Sequence, residues 1–361
     1  MYDLSKSLSM DWYSVDAITT DVFDNNSRNE KAQDISDGIR IFYFRNRSNT
    51  IANKLKTPLP IGLSKWLDEN IRKYDIVHIG DFRNLFNYEV FIFCKKYNIP
   101  YIISPFWTVP YKKDPRWIIK WIYDKIWSQN FLKSAKYITV QTENEQNELI
   151  KFWIDPSIIK LIPLMIEYEK FKDLPEKGII REKYNISNDA KILLFVGRIH
   201  RYKATDMMID CFYEYQKKIS NSYLIIIGRD DGYEAEIKKK IYNLGIQKKV
   251  LFVWAIYYPE NKNYYRDADI YFMAPSHYEE TSTASLEALA CWTPVVVTEQ
   301  ADIPFIENYN AGKVVKYDKK TIVDALLSIE TNEASTIDCI RLIEEHFDIK
   351  SIKNEFIKLY F

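Results

Sequence analysis

The sequence predicts an α/β protein built from two parallel-sheet domains, and three observations carry that expectation. Short β-branched runs alternate with amphipathic helical stretches along nearly the whole chain, the pattern of strands joined by helical crossovers. The alternation breaks once, over residues 161–181, in a charged stretch that holds Pro163 and Pro175. The length, 361 residues, suits two domains of ordinary size.

Taken in order, the chain opens on Met1-Tyr-Asp-Leu-Ser-Lys-Ser-Leu8, which reads as a helix feeding a strand at Ser14. A doubly wound domain normally opens on a strand and a turn, so either that piece is absent from this chain or the domain is unusual. In the first half, strands are expected at 14–19, 39–44, 75–79, 101–104 and 137–141, and helices at 62–73, 88–97, 116–134 and 143–152. In the second half the strands fall at 191–196, 223–227, 250–253, 269–273 and 294–298, with helices at 204–218, 233–244 and 285–291. The linker is placed in 161–181. Two similar halves imply a cleft between them, where ligands tend to bind. No short-period repeat or low-complexity tract is present.

Composition removes several function classes. Nine glycines in 361 residues is far below the usual share of about 7 %. The closest pair, Gly228 and Gly232, has three residues between its members, so neither a G-x-G-x-x-G dinucleotide fingerprint nor a P-loop can be written. Fifty basic residues balance fifty acidic ones, which gives no general attraction for nucleic acid. Cys94, Cys211, Cys291 and Cys339 are widely spaced without a C-x-x-C, as reduced cytoplasmic thiols are. The four histidines are equally scattered, so no local metal motif appears and no metal is expected. No apolar run approaches the ~18 residues of a membrane span. The stretch Trp117-Ile-Ile-Lys-Trp-Ile-Tyr-Asp-Lys-Ile-Trp127 mixes three tryptophans with lysines, as interfacial helices do. Residues 116–134 are therefore a candidate for peripheral membrane contact at the inner face, beside the plainer reading of a helix whose aromatics pack inward.

Two polar constellations carry chemistry. The strand at 269–273 is followed by Ala274-Pro-Ser-His-Tyr-Glu-Glu-Thr-Ser-Thr-Ala-Ser-Leu-Glu287. Glu279 and Glu287 flank the hydroxyls of Thr281, Ser282, Thr283 and Ser285, which run into a helix start. Free N–H groups at a helix N-terminus favour an anion, and the carboxylates can accept from sugar hydroxyls. Equally, the cluster reads as N-capping hydroxyls with Glu287 on the helix dipole. The second constellation is Phe195-Val-Gly-Arg-Ile-His-Arg-Tyr-Lys203, in which Arg198, Arg201 and Lys203 follow a buried strand that ends at Gly197. Cations there can hold a diphosphate and stabilise it as a leaving group; alone, they would read as a solvated basic loop.

In their order and spacing, with Leu224-Ile-Ile-Ile-Gly228, Tyr265-Arg-Asp-Ala-Asp269, Thr293-Pro-Val-Val296 and the closing helix 349–360, these motifs resemble the retaining GT-B glycosyltransferases of the family 4 type. The likeness covers most of the chain. It is looser in the first half, through Asp75-Ile-Val-His-Ile79, Pro100-Tyr-Ile-Ile-Ser-Pro105 and Thr142-Glu-Asn-Glu145. The resemblance implies an acceptor-side Rossmann-like domain over 1–165, a nucleotide-sugar donor domain over 166–345 and a helix at 346–361 that crosses back to the first domain. It implies that Gly197, Arg198 and Lys203 bind the donor diphosphate, that backbone amides of Thr281, Ser282 and Thr283 face it, and that Glu287 holds the ribose hydroxyls. Glu279, with Arg198 and Lys203, would serve catalysis near the transferred sugar. His78, Asp81 and Trp107 would lie on the acceptor side. The donor would be a nucleotide-diphosphate sugar and the acceptor a glycan or polyprenyl-lipid-linked species, with no cofactor. Several family glycines are replaced, by Asp81, Ala204 and Trp292, and the family's Glu-Gly-Phe-Gly reads Glu279-Glu280-Thr281-Ser282. Those departures, with the abrupt start, motivate a second reading: a catalytically weak nucleotide-sugar-binding or scaffolding subunit.

Overall fold

Among the described residues of the computed structural model, which are 1–24, 26–55, 57–106, 117–279, 281–329 and 332–361, thirteen strands form three sheets. By contacts the chain divides into Met1–Ile162 with Lys353–Phe361, and Pro163–Ile352.

The first unit holds two of the sheets. Strands β1 (Asp16–Thr20), β2 (Gln33–Ser36) and β3 (Ile39–Phe44) are ordered β1-β3-β2, with β1 parallel and β2 antiparallel to β3. Strands β4 (Val77–Gly80), β5 (Tyr101–Ser104), β6 (Tyr137–Val140) and β7 (Ile159–Leu161) pair in sequence order, all parallel. The apolar faces of the helices Leu63–Asn70, Leu85–Tyr97 and Glu143–Lys151 close over the second sheet, burying Leu67, Val90, Phe91 and Leu149 against Ile103 and Ile138. Helix starts follow the sequence: Asn84 and Thr142 accept from the amides of Asn87 and Glu145, as N-caps do. The helix expected at 116–134 differs from expectation. It runs as an α-helical Trp117–Tyr123, a π-helical turn Asp124–Ser128 and an α-helical Gln129–Lys133. The widened turn carries the buried Asp124, which takes a two-point bond from Arg83 and a third from the Ser128 hydroxyl.

The second unit has one six-stranded parallel sheet. Strands β8 (Lys191–Val196), β9 (Ser222–Ile227), β10 (Val250–Val253), β11 (Ile270–Met273), β12 (Val295–Thr298) and β13 (Gly312–Val315) are ordered β10-β9-β8-β11-β12-β13. The central strands are apolar on both faces, as a sheet covered by helices on each side requires; Leu193, Ile225, Phe272 and Val296 are fully or almost fully buried. The chain moves from β8 outward to β9 and β10, then returns to the other flank of β8 to lay down β11. Neighbouring β8 and β11 therefore send their following loops apart, the point at which such sheets bind ligands.

The closing helix Ile349–Tyr360 belongs to the first unit from Lys353 onward. There Tyr360 places its hydroxyl 2.7 Å from His78 Nδ1 and its carbonyl accepts from Lys136 Nζ at 2.9 Å. Phe361 stacks on Tyr13.

Candidate active site

The two constellations leave the carboxyl ends of β8 and β11 and meet. After β8, Gly197 donates its amide to the Ile227 carbonyl on β9. A methyl group at Gly197 would press to within 2.9 Å of the buried Phe195 ring, and one on Gly228 would overlap the Gly197 carbonyl oxygen. The turn is thus closed by two glycines from adjacent strand ends. Arg198 Nη1 lies 2.7 Å from Asp231 Oδ2, in the loop after β9. His200 accepts from the Tyr202 amide and starts a single 3₁₀ turn, Arg201–Lys203, which ends on Ala204 at φ +48°. From there the helix Thr205–Lys218 begins.

That turn reaches the β11 loop. The Tyr202 carbonyl accepts from the Ser276 amide at 3.1 Å, and the Tyr202 ring packs on His277 with centroids 4.3 Å apart. Lys203 Nζ contacts Glu279 Oε1 directly. Glu279 is held in place by its own amide, which donates to the Gln300 carbonyl at 2.7 Å. Thr281 is buried and donates to the Asp302 carbonyl. Ser282 occupies the N-cap of the helix Thr283–Ala290 without capping it by its hydroxyl, leaving the positive end of the helix open to an anion. Glu287, one turn in, accepts from the Tyr265 hydroxyl at 2.8 Å and from Asn261 Nδ2 at 3.3 Å. Burial raises its pKa above the ordinary glutamate range, and the Tyr265 bond opposes that rise.

Gly197, Arg198, Lys203, Glu279, Thr281, Ser282, Thr283 and Glu287 thus lie on the two loops and one helix start that follow β8 and β11. The structure adds Asp231, the counter-ion of Arg198, and Asn261, and it gives Tyr265, first residue of the motif Tyr265–Asp269, a bond to Glu287. Two cations set against carboxylates beside a helix N-terminus can take a diphosphate by ion exchange, the ligand's oxygens replacing Asp231 and Glu279.

The remaining expected residues belong to the first unit. His78 has both ring nitrogens engaged, Nδ1 with Tyr360 and Nε2 with Ser104 Oγ at 2.7 Å, and burial lowers its pKa to about 3. Asp81 accepts from the amides of Phe82 and Arg83 at the start of the loop after β4. Trp107 lies outside the described residues.

Sequence profiles of two families cover almost all of this geometry: glycosyl transferases group 1 over residues 176–346, and glycosyltransferase family 4 over residues 1–170. The chain belongs to the family 4 type of GT-B glycosyltransferases. In this GT-B chain the group 1 profile includes both constellations. A D-inositol 3-phosphate glycosyltransferase of Kineococcus radiotolerans is 28 % identical over 180 residues, 47 % of this chain and 41 % of the relative. A glycosyltransferase of Methanocaldococcus jannaschii is 24 % identical over 245 residues, 66 % of this chain and 61 % of the relative. The chain thus spans only about two fifths to three fifths of the curated relatives it matches. Among solved structures, sucrose-phosphate synthase from Thermosynechococcus elongatus superposes with TM-score 0.75 at 17 % identity, over 99 % of this chain and 91 % of that one. Anabaena HepE in complex with UDP-glucose does so with TM-score 0.68 at 15 % identity, over 89 % and 86 %. These likenesses show a shared GT-B fold.

In the loop after β8, Ala204 stands where the resemblance expects glycine, yet keeps a left-handed backbone. Relief of that conformation is worth about 1–2 kcal/mol. Against it stand about 0.8 kcal/mol for the buried methyl group and roughly 0.5–1 kcal/mol for the added freedom of an unfolded glycine. Ala204→Gly is therefore expected to leave stability within about 1 kcal/mol, whereas Ala204→Val, with a β-branched side chain at positive φ, costs about 2 kcal/mol or more. Urea unfolding of the two variants checks this.

Proposed function

We propose that this chain transfers a sugar from a nucleotide-diphosphate sugar to a hydroxyl of a glycan or lipid-linked acceptor, with retention of configuration and without a metal. The observation that carries the reading is the direct contact of Lys203 with Glu279, which joins the loop that holds Arg198 to the loop running into the open end of the helix Thr283–Ala290. In this reading Arg198 and Lys203 exchange their carboxylate partners for the diphosphate. Charge growing on the departing nucleotide is then met by two cations and a helix dipole already in position. Glu279, released from Lys203, accepts from hydroxyls of the transferred sugar, and Glu287 accepts from the ribose. HepE, which shares the fold, is described with UDP and with UDP-glucose, so uridine-diphosphate sugars are the first donors to try.

Calorimetric titration with a panel of nucleotide sugars tests this. One donor is expected to bind and to be slowly hydrolysed, and Glu287→Ala to weaken it by about 10–150-fold, the value of hydrogen bonds to a charged acceptor. If nothing in the panel binds at millimolar concentration, the proposal fails. A second reading, nucleotide-sugar binding without transfer, is favoured by one observation: His78 and Asp81 are committed to bonds inside their own unit. Donor binding with no transfer and no hydrolysis would select it.

Glu287 also sets a pH dependence. Its raised pKa means that it takes up a proton at a higher pH than a free glutamate. Donor affinity should therefore fall on acidification while the pH is still above the ordinary glutamate range, and Glu287→Gln should remove that limb. Stability moves the other way. The folded pKa lies above the unfolded one, so the cost of the buried charge is present at neutral pH and disappears as pH falls through the folded value. Titrations and melts across the acidic range read the two signs separately.

For the acceptor side we propose peripheral contact with an anionic membrane. Arg116 lies outside the described residues, and no helix among those described is long and apolar enough to cross a membrane. Ile118, Trp121 and Ile122 nonetheless stand exposed at three- and four-residue spacing, followed by exposed Lys125 and Ile126. A face of this kind suits a lipid interface. Co-sedimentation with phosphatidylglycerol vesicles is expected and should be lost in Trp121→Ser/Ile126→Ser; unchanged sedimentation of that variant removes the proposal.

A further inference from the structure

Three rings stand in contact where the loops after β8 and β11 meet. The Tyr202 ring lies between two imidazoles, with its centroid 4.7 Å from that of His200, edge to face, and 4.3 Å from that of His277, tilted by 39°. Its main chain is tied on both sides. The Tyr202 amide donates to His200 Nδ1 at 3.1 Å, and the Tyr202 carbonyl accepts from the Ser276 amide at 3.1 Å. The Ser276 hydroxyl, 2.9 Å from His277 Nδ1, braces the third ring. The 3₁₀ turn Arg201–Lys203 is thus held by bonds that do not involve the Tyr202 ring, and Tyr202 is left 45 % exposed. The neighbouring cation is drawn elsewhere: Arg201 pairs with Glu236 at 2.6 Å, in the helix Glu234–Leu244, and lies over the Tyr233 ring.

The chemistry of this patch narrows its occupant. A flat ring immobilised before anything binds loses little freedom when a ligand covers it. The electron-rich face of an aromatic ring attracts C–H groups. A pyranose offers them on one face and carries hydroxyls around its edge, and the rim of the patch supplies partners for those hydroxyls. His200 accepts through Nδ1, so its neutral ring carries the proton on Nε2 and has a donor to give. The charged pair Lys203–Glu279 follows directly. A hydrocarbon chain laid on the same ring would strip water from these groups and leave them unpaired. Depth then separates the two sugars of a transfer reaction. Lys203 is largely buried and Glu279 less so, whereas Tyr202 stands nearly half in solvent. A donor held at its diphosphate by Lys203 and at its sugar by Glu279 fills the inner part, and the Tyr202 ring is left at the rim for the second substrate.

We propose that Tyr202, braced by His200 and His277, is a stacking platform for a sugar ring of the acceptor, placed on the same unit as the donor loops. The assignment rests on the transferase reading above and deepens it: the end of the acceptor that enters the site is a pyranose, whether the rest is glycan or lipid-linked. Tyr202 is then a specificity residue, touching the acceptor without serving the departing nucleotide.

Saturation-transfer NMR on the full chain tests it, with the methyl glycosides of glucose, galactose, mannose and N-acetylglucosamine as probes. Irradiating the aromatic protons of the protein is expected to saturate the ring hydrogens on one face of a glycoside. The dissociation constant of that glycoside should rise about tenfold in Tyr202→Ala, the value of a good aromatic contact. Tyr202→Phe keeps the ring and should bind as the unsubstituted protein does. Tyr202→Leu keeps apolar bulk without a flat face and should behave as Tyr202→Ala. Absence of saturation across the panel, or equal binding by Tyr202→Ala, overturns the proposal. Calorimetry on the same variants reads the donor separately. A tenfold loss of nucleotide-sugar affinity in Tyr202→Ala, with the affinity for the bare nucleotide unchanged, puts the ring against the transferred sugar and overturns the acceptor assignment. Failure of the unsubstituted protein to bind any nucleotide sugar overturns the transferase reading instead, and ring-dependent glycoside binding in that same protein would still support the platform.

Discussion

Replacing Lys203 by alanine is expected to lower kcat for sugar transfer by about 100–1000-fold, with a smaller change in KM. That is the usual consequence of removing one preorganised group from a site of developing charge. The expectation follows from where the cation stands. Lys203 is largely buried, whereas more than half of the Arg198 side chain is exposed. A charge shielded from water would act more strongly on the proposed diphosphate, so Arg198→Ala should be the milder variant. Lys203→Ala also leaves Glu279 without its counter-ion. Glu279→Ala and the double variant, compared in a cycle, separate the loss of donor binding from the loss of the pair. Donor hydrolysis measured at saturating donor reads the effect, and a loss of less than tenfold for Lys203→Ala would exclude a leaving-group role.

Gly228→Ala should be among the most damaging small substitutions in the second unit. The added methyl group would coincide with the Gly197 carbonyl oxygen and also crowd the Gly197 carbonyl carbon. Both partners are backbone, so no side-chain rotation relieves the overlap, and the loops after β8 and β9 must separate. A cost of about 2–4 kcal/mol is expected, the range of forced overpacking with backbone displacement. Donor affinity should fall further than stability alone explains, because the displaced loop carries Arg198. Gly245→Ala provides the contrast. Its added methyl group meets nothing within 4 Å, but the residue sits at φ +71°, so a loss of only about 1 kcal/mol is expected. Denaturation midpoints with nucleotide titrations of both variants decide the comparison.

Much of the α/β architecture was legible because the strands buried on both faces, β5, β8, β9, β11 and β12, are continuous apolar runs. The strands that escaped notice, β2, β7 and β13, are short, and β2 and β13 carry polar residues on exposed faces. Such segments gain their identity from a neighbour rather than from their own residues. The site shows the same division. Arg198, Lys203, Glu279 and Glu287 stand in compact motifs that can be read locally. Asp231 reaches Arg198 across 33 residues only because β8 and β9 pair, and Tyr265 reaches Glu287 across 22. The replaced glycines teach a further lesson. Asp81, Ala204 and Trp292 all hold positive φ, at +68°, +48° and +69°. The backbone thus retains the glycine-type turn after the glycine has gone, supported by local bonds at Asp81 and by the Arg266 guanidinium over the Trp292 ring. Residue identity overstated the departure from the family geometry at these places.

The assignment of Lys353–Phe361 to the first unit has a consequence for biosynthesis. The hydroxyl that satisfies His78 belongs to a residue 282 positions later. At about 5–20 residues per second, the ribosome delivers Tyr360 roughly 14–56 s after His78 has been made. Until then His78 and Lys136 lack Tyr360, whereas Pro163–Ile352 has its whole sequence once residue 352 has been made. The unit translated first is therefore the one completed last, and a nascent chain stalled before residue 353 should display a protease-sensitive amino-terminal half beside a resistant central one.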